Sequence, residues 1–112
     1  MAVGDRVEAR LGGPTQLDTT TTTICTAASG YNEIIKQVII TNTDTVERTF
    51  TLAVGTAATA ANRVIDTMPI GANDTIIWDT ALVLGATETL QGLADTASKV
   101  NVTAIGWEKQ IS

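Results

Sequence analysis

At 112 residues and 11.7 kDa, with 44% hydrophobic and 17% charged residues, the chain has the size and composition of one globular domain. Seven Lys and Arg against twelve Asp and Glu leave a net charge of −5, which argues against a surface built to neutralise nucleic-acid phosphates. With no His and one Cys, the chain lacks the commonest general base and neutral metal ligand, and it can form neither an internal disulfide nor a zinc cage.

In chain order, Asp5, Arg6, Glu8 and Arg10 interrupt the stretch that a signal peptide would need to keep apolar. The expectation is a protein made in a cytoplasm. Residues 1–18, with Gly4, Gly12, Gly13 and Pro14 among mixed charges, read as an N-terminal arm or a first edge strand. Residues 19–112 read as the domain itself. There, Thr, Ile and Val dominate: 21, 11 and 9 copies make 41 of the 112 residues β-branched, which favours pleated structure over helix. Eight extended stretches follow, near 5–11, 19–27, 33–42, 48–55, 62–68, 74–83, 87–94 and 99–109. Such spacing predicts an all-β chain, an antiparallel β-sandwich of jelly-roll type.

Individual stretches carry further expectations. Thr19–Thr23 runs directly into Ile24 and Cys25 and reads as a strand with a hydroxylated face. Cys25, with no His to activate it, reads as a small apolar filler, the alternative being a disulfide to a neighbouring chain. In Ile34–Ile40 both parities hold isoleucine, which predicts a central strand covered on its second face by a loop or another subunit. Thr49–Val54 alternates cleanly, placing Phe50, Leu52 and Val54 inward and one face in water. The Ala-rich segment 56–62 reads as a loop. Gly106 breaks the Val100, Val102, Ala104 alternation and predicts a bulge or bend after which Trp107 changes sides.

Chemistry is sparse. Glu33, Glu47, Asp66, Asp79 and Glu88 could supply an acid and base pair only if the fold brought two together, and each reads as a solvated side chain. Asn42, Asp44 and Glu47 read as turn formers rather than calcium ligands. Neither a phosphate-cradling glycine pattern nor a dinucleotide fingerprint occurs, and no stretch is long and apolar enough to span a bilayer. The expectation is no enzyme activity, no cofactor and no bound metal, with neither nucleic acid nor membrane as partner. Trp78 reads as core or interface. Arg6, Arg10, Leu11, Pro14, Tyr31 and Trp107 are the candidate interface residues.

The run Ile24–Val54, ICTAASGYNEIIKQVIITNTDTVERTFTLAV, followed by Gly71-Ala72-Asn73-Asp74-Thr75-Ile76-Ile77-Trp78, resembles the small β-sandwich virion proteins of tailed bacteriophages. The resemblance covers about residues 17–107 and rests on turn and strand patterns. It implies a structural virion protein: a capsid decoration or cement subunit on the outer capsid surface, assembled in the host cytoplasm. The major capsid protein or other virion proteins would be its partners. A symmetric homo-oligomer, with a trimer favoured, is the implied state. The alternative is a tail, collar, baseplate or fibre-base protein. From another class, a carbohydrate-binding module would use Tyr31, Trp78 or Trp107 as a stacking platform.

Overall fold

The computed structural model describes residues 6–56 and 59–111, and of residues 6 and 7 the backbone alone. The strands are β1 (Arg6–Gln16), β2 (Thr22–Thr26), β3 (Tyr31–Asn42), β4 (Arg48–Gly55), β5 (Arg63–Ile70), β6 (Thr75–Leu84), β7 (Thr89–Ala94) and β8 (Val100–Gln110). They form two four-stranded antiparallel sheets, ordered β1-β8-β3-β6 and β2-β7-β4-β5. The ladders β4–β5, β3–β6, β2–β7 and β1–β8 are nested, as if one long hairpin were rolled into a sandwich. This is the expected all-β sandwich of eight strands.

The expected arm enters the first sheet as edge strand β1 from Arg6 onward, and residues 1–5 lie outside the described residues. Of segment 56–62, Ala60–Asn62 forms a single 3-10 turn closed by Asn62 N donating to Thr59 O at 2.9 Å. Among the described residues no helix is long and apolar enough to cross a membrane.

The two sheets share one apolar layer. Leu17, Ile24, Ile35, Val38, Ile40, Phe50, Leu52, Leu90, Val100 and Val102 are buried in it, each stabilising the fold by about 1.5–3 kcal/mol through area removed from water. Cys25 sits in the same cluster as a free thiol, and Trp78 packs against it from β6. The wet face expected on β4 is absent. Thr51 is only 4% exposed and Ala53 fully buried. The Thr51 hydroxyl accepts the Thr67 amide at 3.0 Å where β5 turns through a positive φ, so this bulging edge strand covers Thr51.

Strict alternation along β3 would bury Gln37 if Glu33 and Ile35 pointed inward. The chain instead changes phase. Glu33 and Ile35 are buried, then Val38, Ile40 and Asn42 are, while Lys36 is exposed and Gln37 half-exposed. Both ladders shift register between Ile35 and Gln37: against β8, Lys36 is the extra residue of a bulge that lets two polar side chains leave the core in succession, while against β6 the extra residue lies on β6 at Thr80 or Ala81. The bulge expected at Gly106 therefore lies on the opposing strand. On β8 the alternation runs unbroken through Val100, Val102, Ala104 and Gly106, and Trp107 stays on the outer side with Thr103 and Ile105. Gly106 is demanded by the same feature: a Cβ there would collide with the Ile34 carbonyl that the bulge pushes toward it. On the other flank, Gly12 lets β1 lie against Ile24 and Cys25 of β2, with no room for a side chain.

Asn42 closes β3. Fully buried, it donates Nδ2 to the carbonyls of Val46, Ile70 and Gly71 at 2.9, 3.1 and 3.1 Å and accepts the Asp44 amide at 2.9 Å. Asp44 in turn holds Arg48 at 2.7 Å, which keeps its carboxyl below the usual range. The turn-forming role expected of Asn42 and Asp44 is thus what binds the β3–β4 and β5–β6 connections together. Asn42→Ala leaves three carbonyls short of a donor and should lower the unfolding free energy by about 2–3 kcal/mol in urea titrations. Gly106→Ala should lower it at least as much; a wild-type midpoint for either variant would contradict this account.

Candidate functional site

The inner faces of both sheets are used by the core, and the outer face of the second sheet holds buried Thr51, Ala53 and Gln91 beside a half-buried Leu93. There, Gln91 is buried and donates Nε2 to the Thr89 hydroxyl at 2.6 Å and to the Gly55 carbonyl at 3.3 Å. The outer face of the first sheet differs. Cross-strand rows put Trp107, Ile34 and Val83 side by side, then Ile105, Gln37 and Asp79, then Thr103, Ile39 and Ile77. Ile77 is 60% and Val83 57% exposed, although most apolar side chains of this chain are covered. One such side chain in water is ordinary, whereas a contiguous group marks a contact surface.

A depression of about 540 Å³ opens between these rows over Ile105 and Gly106, walled by Glu8, Lys36, Gln37, Asp79, Thr80 and Trp107. Gln37 Nε2 donates to Asp79 Oδ1 at 3.1 Å across the β3–β6 ladder, and Lys36 Nζ lies 5.9 Å from the centre of the Trp107 ring. The second contact is within cation–π range and worth about 0.5–1 kcal/mol at an exposed site. Polar partners are therefore already matched in pairs, with aliphatic side chains left between them.

Of the candidate residues read from sequence, Arg10 and Trp107 come to this face, Arg10 opposite Ile105 and Glu8 opposite Trp107. The Arg6 backbone pairs with Lys109 further along the β1–β8 ladder, and its side chain lies outside the described residues. Leu11 turns into the sandwich and packs on the core. Pro14 is exposed on β1, and Tyr31 starts β3 opposite Gln110 at the far end of the sheet. The structure does not gather these six into one patch. Lys36, Gln37, Ile77, Asp79 and Val83 also lie on this face and were not singled out from the sequence, yet the doublets Ile34-Ile35, Ile39-Ile40 and Ile76-Ile77 carry the signal, since an isoleucine on each parity leaves one outside.

One carboxylate departs from its expected solvated place. Glu33 is 6% exposed, points into the sandwich and has one oxygen without a hydrogen-bond partner. Burial pushes its pKa up to about 7, the neighbouring Glu108 directly across the β3–β8 ladder adds to the rise, and the Cys25 thiol lowers it slightly by donating to the carboxylate. The Cys25 thiol is itself pushed up to about 12 by burial and by Glu33, so it stays protonated and unreactive. Glu47, Asp66 and Asp79 are exposed, and Glu88 accepts the Gly85 amide at 2.7 Å within a turn. Among the described residues no three Cys, Asp or Glu side chains converge as a metal site would require.

No protein-family model matches the sequence. No curated protein matches it either. The fold is similar to that of a protein from Bacillus endospore appendages, described as disulfide-linked pili, with a TM-score of 0.56 and 11% identity over 99% of this chain and 93% of that one. A chain of infectious bursal disease virus, Gt strain, aligns with a TM-score of 0.47 and 11% identity over 94% of this chain and 32% of its own length. A pentameric capsid protein from metagenomic phage sequences gives 0.36 and 18% over 95% and 61%. At such identities the likeness speaks for the fold alone.

The Glu33 environment yields a pH dependence. The folded state holds a proton to about pH 7 that the unfolded chain releases near pH 4.5, so the neutral carboxyl favours the fold fully below pH 4.5 and ceases to do so above pH 7. The unfolding free energy should fall by up to about 3 kcal/mol across that window. Glu33→Gln should flatten the slope in denaturant titrations at stepped pH, and an unchanged slope would show that Glu33 is not its source.

Proposed function

We propose that the chain is a structural subunit of a virion, a decoration or cement protein that seats on the outer capsid surface as a symmetric homo-oligomer. The observation that carries this reading is the outer face of β1-β8-β3-β6, where exposed aliphatic side chains surround polar pairs that already satisfy one another. Such a face loses little on desolvation and gains the burial of Ile77, Val83 and their neighbours. Weak contacts of this sort suffice when several linked copies engage several equivalent sites. The nested strand pairing supports a jelly roll, and a protein of similar fold is described as belonging to pili, a repeating assembly.

The other readings have less support. A catalytic pair needs two carboxylates around a cleft, whereas Glu33 faces the core and the exposed acids lie apart on separate elements. A sugar platform needs open rings, whereas Trp78 packs on the core and Lys36 stands over Trp107. A disulfide-linked fibre needs an accessible thiol, whereas Cys25 is single and buried. A tail or baseplate position uses the same kind of surface and differs in copy number.

Purified particles should contain this chain in hundreds of copies if it coats the capsid, against a dozen or so for a tail position, and its absence from particles would overturn the proposal. Trp107→Ala should release it from the particle while moving the melting temperature by less than about 8 °C, because the ring lies on the outer face.

A further inference from the structure

Four strand edges bound the two sheets, and three of them are blunted. β1 carries Pro14, the charges of Glu8 and Arg10, and two register shifts. β2 has five residues and a shift of its own. β5 carries Pro69, Arg63, Asp66 and Thr67 at positive φ. These are the usual means by which a sheet avoids pairing with another chain. β6 has only one of them, a register shift in its ladder with β3 in which β6 supplies the extra residue, at Thr80 or Ala81. It runs ten residues without Pro or Gly, bears Asp79 as its only charge, and keeps its in–out alternation throughout despite the shift on its β3 side. Among the described residues no strand lies on its far side.

We propose that β6 is an interface strand that pairs antiparallel with β6 of a second copy, joining two first sheets into one eight-stranded sheet. The occupant follows from self-complementarity. With the twofold axis at Thr80, residues whose numbers add to 160 face each other: Ile77 meets Val83, Trp78 meets Leu82, and Thr80 meets its own copy. Asp79 meets Ala81, so the strand's only charge faces no like charge, and its carboxylate is already held by Gln37. The two most exposed large aliphatic side chains among the described residues thus cover each other on the outer face, twice per dimer. A neighbouring register, adding to 158, places Asp79 against Asp79 and Ile77 against Ala81, which opposes like charges and leaves Val83 opposite Thr75. An unrelated extended peptide would gain the same backbone bonds without this match.

The inference deepens the reading of an assembly subunit by naming one partner, but its failure is separable. A chain that does not pair through β6 yet still attaches to particles refutes the edge and leaves the role standing.

The test is sedimentation equilibrium of the full chain with register-specific variants. The wild type should show a concentration-dependent dimer. Ala81→Glu, which sets an acid against Asp79 of the second copy, should raise the dimer dissociation constant about tenfold, and Ala81→Lys should lower it. Asp79→Lys combined with Ala81→Glu should restore the wild-type constant. Thr80→Cys should crosslink to itself under mild oxidation, whereas the buried Cys25 leaves the wild type uncrosslinked. Circular dichroism confirms that each variant is folded. A monomer at every concentration, or a dimer indifferent to the charges at 79 and 81 and to the thiol introduced at 80, overturns the proposal.

Discussion

One bulge governs both surfaces of this protein. β3 must fill the core and also carry an outer face, and its apolar residues change parity halfway, from Ile35 to Val38. A flat strand would bury Gln37 and expose Val38, losing hydrophobic contacts on one side and leaving an amide unsatisfied on the other. The extra residue at Lys36 resolves both difficulties. It lets Val38 and Ile40 enter the core and sends Lys36 and Gln37 outward, where they meet Trp107 and Asp79. The cost is a close approach to β8, which only the glycine at 106 accommodates. Core packing, the depression and the pairing of polar groups on the outer face all descend from that local geometry.

The two ends of β3 then behave differently. At Asn42 every buried polar group is satisfied and the loops are locked together. Near Tyr31 the strand carries Glu33 into the sandwich beside Glu108 and Cys25, with one oxygen unpaired. A buried carboxyl in such surroundings favours its neutral form, so electrostatics at this end depend on protons in a way the Asn42 end does not. This is a property of the fold's stability and is independent of the outer surface on which the proposed role rests.

The contrast between the two outer faces supports an assembly role. Around β4 and β7 the chain uses Thr51, Ala53 and Gln91 beside a half-buried Leu93, with hydroxyl and amide bonds made internally, one of them to β5. Around β3 and β6 it leaves isoleucine and valine uncovered, next to the least protected edge of the sandwich. A chain this small has little surplus stability, so apolar area left in water represents burial still available to a partner.

Much was legible in the sequence. The all-β class, the number of strands and most of their positions followed from β-branched content, period-two alternation and turn residues, because strand formation depends on local pattern. Asn42 and Asp44 were readable as turn formers for the same reason. What only the tertiary structure decided concerns pairs of strands: that the bulge sits at Lys36 rather than Gly106, that β5 shields Thr51, that Glu33 faces inward, and that Lys36, Asp79 and Trp107 share one depression. Each of these depends on which residue lies opposite which across a ladder, and a single-residue slip between strands reverses the outcome without altering any local pattern.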